Sequence, residues 1–204
     1  MSKNRDRIIQ SALSLFSEKN FEDVTIKDIC QKAEVANSTF YYHFKTKEEL
    51  MDCLRMHDMR PRNRELFALA ATHDLMERVL VTCTMCAQRA ERSGWMLTAQ
   101  YYKRRLSLES ESEDLKALYA QERRTAQELI GYAQAEGLIS NRAEPEQLAI
   151  AAILLTNSVI LNWCVARGGF DLLAQARETL MVLFCPAARN RDGKERRADE
   201  TGQA

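Results

Sequence analysis

Glycine and proline are scarce in this chain, whose 204 residues include 7 Gly and 3 Pro. All-β folds use these residues at most hairpins and turns, so their scarcity favours helices. Apolar residues recur every three or four positions along most of the sequence, which is the helical period. With 46% hydrophobic and 28% charged residues, the composition excludes a disordered chain. We predict an all-α fold.

The first 50 residues carry the signals of short helices. Residues 5–19 place their apolar side chains on one face, as in an amphipathic helix. Thr25 and Asp28 have the spacing of a capping box, so a second helix begins at Thr25. That helix stops within residues 34–37, and apolar and aromatic residues resume at Phe40. Two short helices joined by so tight a turn form a helix-turn-helix.

Longer helical segments follow. An apolar stripe over residues 75–90 is ended by Ser93-Gly94, and a later segment over 115–135 is stopped by Gly137. Pro145 lies in the first turn of the next helix, and Asp171 caps the last one.

Three parts of the chain can be separated. Residues 1–50 form the helix-turn-helix unit, and residues 51–185 form a larger helical domain joined to it near residues 60–64. Residues 186–204 are a charged tail that we predict to be disordered.

The charges balance, with 29 Lys and Arg against 29 Asp and Glu. This balance excludes an indiscriminate, strongly basic nucleic-acid binder, so any nucleic-acid contact must come from a local patch. Residues 37–47 contain two lysines and no acidic residue before Lys47. The second helix of a helix-turn-helix presents its N-terminal side chains to base edges, for which Asn37, Ser38 and Thr39 are suited. Tyrosine hydroxyls and lysines suit phosphate contacts.

The same residues resemble the TetR family of transcriptional regulators. The matching segments are the helix ending in Leu15-Phe16, then Asn20-Phe21, then Val24-Thr25-Ile26 with Asp28-Ile29, then TFYYHFKTKEEL from Thr39 to Leu50. The resemblance implies a homodimer that binds a palindromic operator in double-stranded DNA, with half-sites roughly 34–36 Å apart. It also implies that residues 51–185 bind a small-molecule effector and dimerise. Effector binding would change the separation of the two DNA-binding units and release the operator.

The resemblance and the local charge pattern give nine candidate DNA contacts. They are Thr25, Ala36, Asn37, Ser38, Thr39, Tyr41, Tyr42, His43 and Lys47. Tyr42 and Lys47 are expected on phosphates, whereas His43 either contacts DNA or packs within the protein. Phe40 and Phe44 share one helix face and are expected in the core.

Three positions depart from the family pattern. Glu34 stands where the family usually has Gly, Ala36 where Ser usually caps the recognition helix, and Ser38 where Gly is common. Asn37 is an alternative cap, which would start the helix one residue later.

A candidate effector pocket lies in the middle of the larger domain, where aromatic and hydrogen-bonding residues cluster. Its residues are Trp95, Met96, Thr98, Tyr101, Tyr102, Asn157 and Asn162. Core packing is the alternative for each, and the two asparagines alternatively pair across a dimer interface. We interpret the nearby Arg89, Arg92, Lys103, Arg104 and Arg105 as a solvated face, with anionic-ligand recognition as the alternative.

The two last apolar segments, residues 148–165 and 172–184, are the predicted dimer interface. The family dimerises through its last two helices, and both segments are too apolar to face water. The candidate interface residues are Ile153, Leu154, Val159, Leu161, Leu173, Leu180 and Phe184. Polar residues interrupt 148–165 too often for a membrane span.

The six cysteines indicate reduced thiols in a cytoplasmic protein, because they are dispersed and lack secretory context. Cys83 and Cys86 fall at i and i+3 on one buried helical stripe, so we favour packing over a metal or disulfide role. A thiol-sensing regulator is the alternative. We expect no metal and no cofactor.

We interpret the chain as a ligand-responsive repressor of the cytoplasm, associated with the nucleoid and without catalytic activity. One alternative is a constitutive helix-turn-helix protein that dimerises or binds a protein partner without an effector. The other is an all-helical enzyme, but the sequence has no Ser/His/Asp set, Gly-rich phosphate loop or HExxH motif.

Overall fold

A computed structural model of the chain describes residues 3–59, 73–107 and 113–185, with the backbone alone described at 57–59. Regular secondary structure within these ranges is helical, which confirms the all-α prediction. The predicted junction at 60–64 and the predicted tail at 186–204 lie outside the described residues.

The described part of the chain contains nine α-helices and one 3₁₀ turn. They are α1 (Lys3–Glu18), the turn Phe21–Asp23, α2 (Ile26–Ala33), α3 (Asn37–His43), α4 (Lys47–Met59), α5 (Leu75–Cys83), α6 (Met85–Ser107), α7 (Glu113–Ala135), α8 (Pro145–Val165) and α9 (Leu172–Phe184).

Most helix ends follow the predicted caps. The Thr25 hydroxyl accepts the backbone N–H of Asp28 at 3.1 Å, and the Asp28 carboxylate accepts the backbone N–H of Thr25 at 2.8 Å. Hydrogen bonds from Thr25 lower the pKa of Asp28. Asp171 caps α9, Pro145 begins α8, and Gly137 takes the left-handed conformation after α7 with φ 70°. These predictions are confirmed.

The stripe over residues 75–90 is not one continuous helix. Thr84 has φ −98° and ψ 5° between α5 and α6, and its hydroxyl donates to the Leu80 carbonyl oxygen at 2.7 Å. The break predicted at Ser93-Gly94 is present, since Gly94 has φ 78° and ψ 157°. Helical structure resumes at once, so α6 is a single element with a kink near its middle.

The N-terminal helices share one core. α1 packs against α2, α3 and α4, and Ile8, Phe16, Ile29 and Phe40 are fully buried between them. Leu97 of α6 lies in the same cluster and is 1% exposed. The N-terminal unit is therefore joined to the larger domain by shared packing. The predicted boundary at residue 50 falls inside α4.

The larger domain is built around α8, which packs against α5, α6, α7 and α9. Inside this bundle the buried Thr156 hydroxyl donates to the Cys83 carbonyl oxygen at 3.2 Å. By length and composition alone, α8 is apolar enough to cross a membrane, and it is the one such helix among the described residues. The central helix of a helical bundle meets the same criteria.

Candidate functional site

The recognition helix α3 begins at Asn37, with Ala36 as its N-cap. Ala36 has φ −72° and ψ 152° and offers no side-chain cap, while its carbonyl oxygen accepts the N–H groups of Thr39 and Phe40 at 2.9 and 3.3 Å. The alternative start, with Asn37 as the cap, is wrong because Asn37 is already inside the helix. Its amide side chain is therefore not used for capping and is exposed.

One face of α3 is buried and the other faces water. Phe40 and Phe44 are 0% and 2% exposed, as predicted, and their rings lie 5.8 Å apart. Tyr41 and Tyr42 are 56% and 84% exposed. The ring of His43 meets that of Tyr42 edge-on at 4.9 Å between centroids.

The polar candidates of this unit also lie at the surface. Thr25, Ala36, Asn37 and Ser38 are exposed, whereas Thr39 is half-buried. α3 therefore presents small hydrogen-bonding side chains at its start and two phenols further along. This arrangement provides both the short groups that fit base edges and the longer ones that reach phosphates.

Lys47 has a role inside the protein that sequence reasoning missed. Its ammonium group donates to the carbonyl oxygens of Phe21 and Val24 at 2.5 and 2.7 Å. The same group lies 4.1 Å from the centroid of the Phe21 ring. Lys47 therefore connects the start of α4, by hydrogen bonds, to the 3₁₀ turn that precedes α2. Lys45, in contrast, is exposed and lies two residues after the end of α3.

Glu34 joins α2 to α3 in a left-handed conformation. Its φ of 52° and ψ of 47° are costly for a residue with a Cβ, whereas glycine adopts this conformation without that cost. Its carboxylate forms an ion pair with Arg7 of α1.

A cavity of about 470 Å³ lies in the larger domain between α4, α5, α6, α7 and α8. Of the predicted pocket residues, Thr98, Tyr101, Tyr102 and Asn157 line it. The Tyr102 hydroxyl donates to Asn157 Oδ1 at 2.8 Å, which ties α6 to α8. Burial raises the pKa of Tyr102, so this phenol stays protonated.

Trp95, Met96 and Asn162 do not line the cavity. Trp95 packs instead into the cluster that contains Trp163, and a Cβ at Gly168 would come within 3.1 Å of its ring. Asn162 is exposed, and its side-chain amide donates to the Ser158 carbonyl oxygen at 3.0 Å. The cavity therefore gives no support to these three assignments, because helical spacing alone does not show which neighbour a side chain meets.

Arg89 is a buried cation, so its assignment to a solvated face is wrong. It is 3% exposed and donates to both carboxylate oxygens of Glu122 at 2.7 and 2.8 Å. Burial acts to lower the pKa of Arg89, but the hydrogen bonds and charge of Glu122, together with the neighbouring Cys86, raise the pKa above its usual value. Lys103 forms an ion pair with Glu22, and Arg104 forms one with Asp52.

Two lining residues that the sequence did not suggest, Arg55 and Tyr119, meet Arg105 in the cavity lining. Arg55 of α4 donates to the Tyr119 hydroxyl at 2.8 Å. The guanidinium carbon of Arg105 lies 5.4 Å from the centroid of the Tyr119 ring. The sequence analysis placed Arg105 on a solvated face, with anionic-ligand recognition as the alternative, whereas no motif marks Arg55 or Tyr119. Their proximity follows from the packing of α4 and α7 on α6.

Two predicted interface residues belong to the protomer core. Leu180 and Phe184 are both 0% exposed, so they are not available to a partner and that assignment is wrong. Leu154 and Leu161 are 64% and 45% exposed. Ile153, Val159 and Leu173 are half-buried, and Ile153 also lines the cavity.

Of the exposed apolar residues on the same helices that were not predicted, two are highly exposed. Val165 on α8 is 83% exposed and Val182 on α9 is 77% exposed. Val165 lies one helical turn after the exposed Leu161, and Val182 lies two residues after the buried Leu180, on the opposite face of α9. Helical periodicity would therefore have identified both as exposed.

Cys83 and Cys86 are free thiols in the bundle. Burial raises the pKa of Cys83 to about 12 and also raises the pKa of Cys86. Within residues 3–59, 73–107 and 113–185, no three His, Cys, Asp or Glu side chains are grouped to hold a metal ion.

A helix-turn-helix with an exposed polar recognition helix, packed on a cavity-bearing bundle, defines a DNA-binding regulator. The family of bacterial regulatory proteins described as "tetR family" matches residues 8–53. The "Probable acrEF/envCD operon repressor" of Escherichia coli K12 is 24% identical over 194 residues, covering 90% of this chain and 88% of that protein. Residues 8–53 therefore carry the DNA-binding region of the TetR family of transcriptional regulators, and the chain is similar to a repressor along most of its length.

Solved structures share the fold. A transcriptional regulator from Saccharomonospora viridis in complex with choline has a TM-score of 0.73 at 19% identity, covering 93% of this chain and 100% of that one. The regulator FadR from Bacillus subtilis in complex with stearoyl-CoA has a TM-score of 0.63 at 16% identity, covering 88% of this chain and 97% of that one.

Proposed function

We propose that this protein is a transcriptional repressor that binds a palindromic operator as a homodimer and is released by a small-molecule effector. The observation that carries the proposal is the position of α6. Thr98 and Tyr102 of this helix line the cavity, while Leu97 of the same helix is buried in the core of the N-terminal unit. A ligand that displaces α6 therefore acts directly on the packing of the helix-turn-helix.

The DNA contacts are assigned to the exposed residues of α3 and its surroundings. Asn37, Ser38 and Thr39 face base edges, and Tyr42 contacts a phosphate. Lys45 is the better lysine for a second phosphate contact, because the ammonium group of Lys47 already binds two carbonyl oxygens. Affinity from a patch this small depends on two copies acting together.

The dimer interface is assigned to the exposed apolar strip of α8 and α9. Leu154, Leu161, Val165 and Val182 would leave large apolar side chains in water in an isolated protomer. A second copy of the same strip buries them through a two-fold axis, which also gives the symmetry that a palindromic operator requires.

The comparisons support the two remaining parts of the proposal. The Escherichia coli relative is named an operon repressor, and two proteins of the same fold are described with choline and with stearoyl-CoA bound. We extend repression and effector binding to this chain on that basis. We also propose a binding rather than a catalytic role, in the cytoplasm and at the nucleoid.

Protection mapping on the DNA that flanks the protein's own gene tests this proposal. We expect a symmetric protected region with two halves about one helical turn apart, which disappears when an effective compound is added. Protection that no compound in a chemically diverse panel alters would favour the constitutive alternative. Absence of any protected region would contradict the proposal as a whole.

A further inference from the structure

The end of the cavity nearest the N-terminal unit concentrates positive charge around one phenol. Arg55 reaches the Tyr119 hydroxyl from α4, and Arg105 reaches the face of the same ring from α6. Arg55 is 6% exposed, so its guanidinium acts in an environment of low dielectric constant. We call Arg55, Arg105 and Tyr119 the arginine end of the cavity.

The described residues that line the cavity carry an excess of positive charge. They include five cationic side chains, Arg55, Arg89, Arg105, Lys116 and Arg123, and the single carboxylate of Glu122. That carboxylate is engaged on both oxygens by Arg89, and Lys116 forms an ion pair with Glu113, which does not line the cavity. A cationic ligand would meet repulsion from this lining, whereas an anion would be attracted.

The part of the lining that α8 provides is mostly aliphatic. It consists of Ile150, Ile153, Leu154 and Ile160, together with Asn157. Among the described residues, the hydroxyl of Thr82 on α5 is buried at the cavity with no hydrogen-bond partner. A buried hydroxyl of this kind gives a ligand one polar contact away from the arginine end.

We propose that the effector is an amphipathic organic anion, with its anionic group at the arginine end and its apolar body against α8. This inference rests on the proposed function and specifies its ligand. Guanidinium groups bind carboxylates and phosphates with paired, charge-assisted hydrogen bonds, and the phenol of Tyr119 adds a further donor. The cavity volume of about 470 Å³ is within the range of small-molecule sites.

The anionic group would contact α4, the helix that follows the helix-turn-helix in the chain and packs on it. Arg55 lies one residue after Leu54, which is fully buried in the N-terminal core. A ligand that binds Arg55 therefore contacts α4 directly, in addition to α6. This arrangement gives an anion a stronger effect on the DNA-binding unit than a neutral ligand of the same shape.

Calorimetric titration of the full chain with four eight-carbon probes tests the ligand class. The probes are octanoate, octyl phosphate, octan-1-ol and octylamine, which share the apolar chain and differ in the polar group. We expect octanoate or octyl phosphate to bind at least about tenfold more tightly than octanol, and octylamine to bind most weakly. The first two probes distinguish a carboxylate from a phosphate ligand.

Two arginine variants supply the matched comparison. Arg105→Gln removes one charge of the arginine end at an exposed position, and Arg124→Gln removes the same charge from an exposed position of α7 outside the cavity lining. Arg105→Gln should weaken binding of the anionic probe about tenfold or more and leave octanol binding unchanged. Arg124→Gln should change neither.

Three results would overturn the inference: octanol or octylamine binding as tightly as the anions, equal effects of the two variants, or no binding of either anion at millimolar concentration. The proposed function is tested separately by the operator footprint. If a neutral or cationic compound releases the operator while the anionic probes do not bind, the ligand class is wrong and the proposed function stands.

Discussion

Arg104 of α6 donates two hydrogen bonds to the carboxylate of Asp52 on α4, from Nε to Oδ1 at 3.1 Å and from a terminal nitrogen to Oδ2 at 2.9 Å. The pairing with Asp52 raises the pKa of Arg104. Lys103, the preceding residue, forms an ion pair with Glu22 in the N-terminal unit. The last turns of α6 are thus held at two points, to α4 and to the turn that precedes α2, beside the cavity that the same helix lines.

Removing the Arg104–Asp52 pair is expected to loosen this connection. In a double-mutant cycle of Arg104→Gln and Asp52→Asn, we expect a coupling energy of about 0.5–1 kcal/mol in urea unfolding, since both side chains are partly exposed. The surface pair Lys116–Glu113 is the control, and its coupling should be at most about 0.5 kcal/mol. Equal coupling in the two cycles would show that the Arg104 pair is an ordinary surface contact.

Replacing Glu34 by glycine should stabilise the protein. The left-handed conformation costs a residue with a Cβ about 1–2 kcal/mol, and glycine's extra freedom in the unfolded chain offsets part of the gain. We expect the unfolding free energy to rise by about 0.5–1 kcal/mol in urea titrations.

Glu34→Ala is the control for this substitution. It removes the same exposed ion pair with Arg7 but keeps the Cβ, so it should bring no gain in stability. Glycine and alanine variants of equal stability would show that the backbone at position 34 is not strained.

Lys47→Gln should lower the unfolding free energy by about 1–3 kcal/mol, because two carbonyl oxygens lose a charged hydrogen-bond donor. Lys45→Gln, two residues earlier and exposed, should leave stability within about 0.5 kcal/mol. The same pair of variants can be measured for DNA binding at several salt concentrations. We expect Lys45→Gln to reduce the salt dependence by about one unit per subunit.

If Lys47→Gln is as stable as the wild type and it alone changes the salt dependence, Lys47 is a phosphate contact. Its bonds to Phe21 and Val24 would then carry little energy.

The local features of the fold were predictable because they depend on neighbours in sequence. The capping box at Thr25 and Asp28 and the burial of Phe40 and Phe44 follow from spacing alone. The buried state of Leu180 also follows from its helical position. Whether such a residue is buried within the protomer or against a partner does not follow, because both environments favour the same apolar side chain.

The residues of the cavity depend on contacts between distant segments. Arg89 meets Glu122 at a separation of 33 residues, and Arg55 meets Tyr119 at a separation of 64. An arginine on a helix has the same sequence signal whether it faces water or a carboxylate on another helix. The sequence therefore identified the helix that lines the cavity but not the charges that meet there.

The cysteines of the bundle should react slowly with thiol reagents. At pH 8 a thiol with a pKa of about 12 is about a thousandfold less ionised than one at the usual value of 9.0, and the thiolate is the reactive form. Raising the pH towards the pKa of Cys83 should increase its reactivity. We expect Ellman's reagent to modify the exposed Cys185 rapidly and Cys83 only on unfolding.

Cys185→Ser provides the control for this experiment, since it should remove a rapid phase and leave the slow one. Rapid modification of Cys83 in the native protein, located by peptide mapping, would instead support the thiol-sensing alternative.

Leu161→Arg tests the proposed dimer interface on α8. Leu161 is 45% exposed in the protomer, so an arginine there should be tolerated by the fold, but it would place a charge in the centre of an apolar contact between two copies. We expect the variant to sediment as a monomer at concentrations where the wild type is a dimer, and to lose operator affinity because two half-sites are no longer bound together.

Leu106→Arg is the matched control, since Leu106 is 87% exposed at the far end of α6 and lies outside the strip. Far-ultraviolet circular dichroism should show both variants to be as helical as the wild type. A Leu161→Arg protein that still sediments as a dimer would place the interface elsewhere on the bundle.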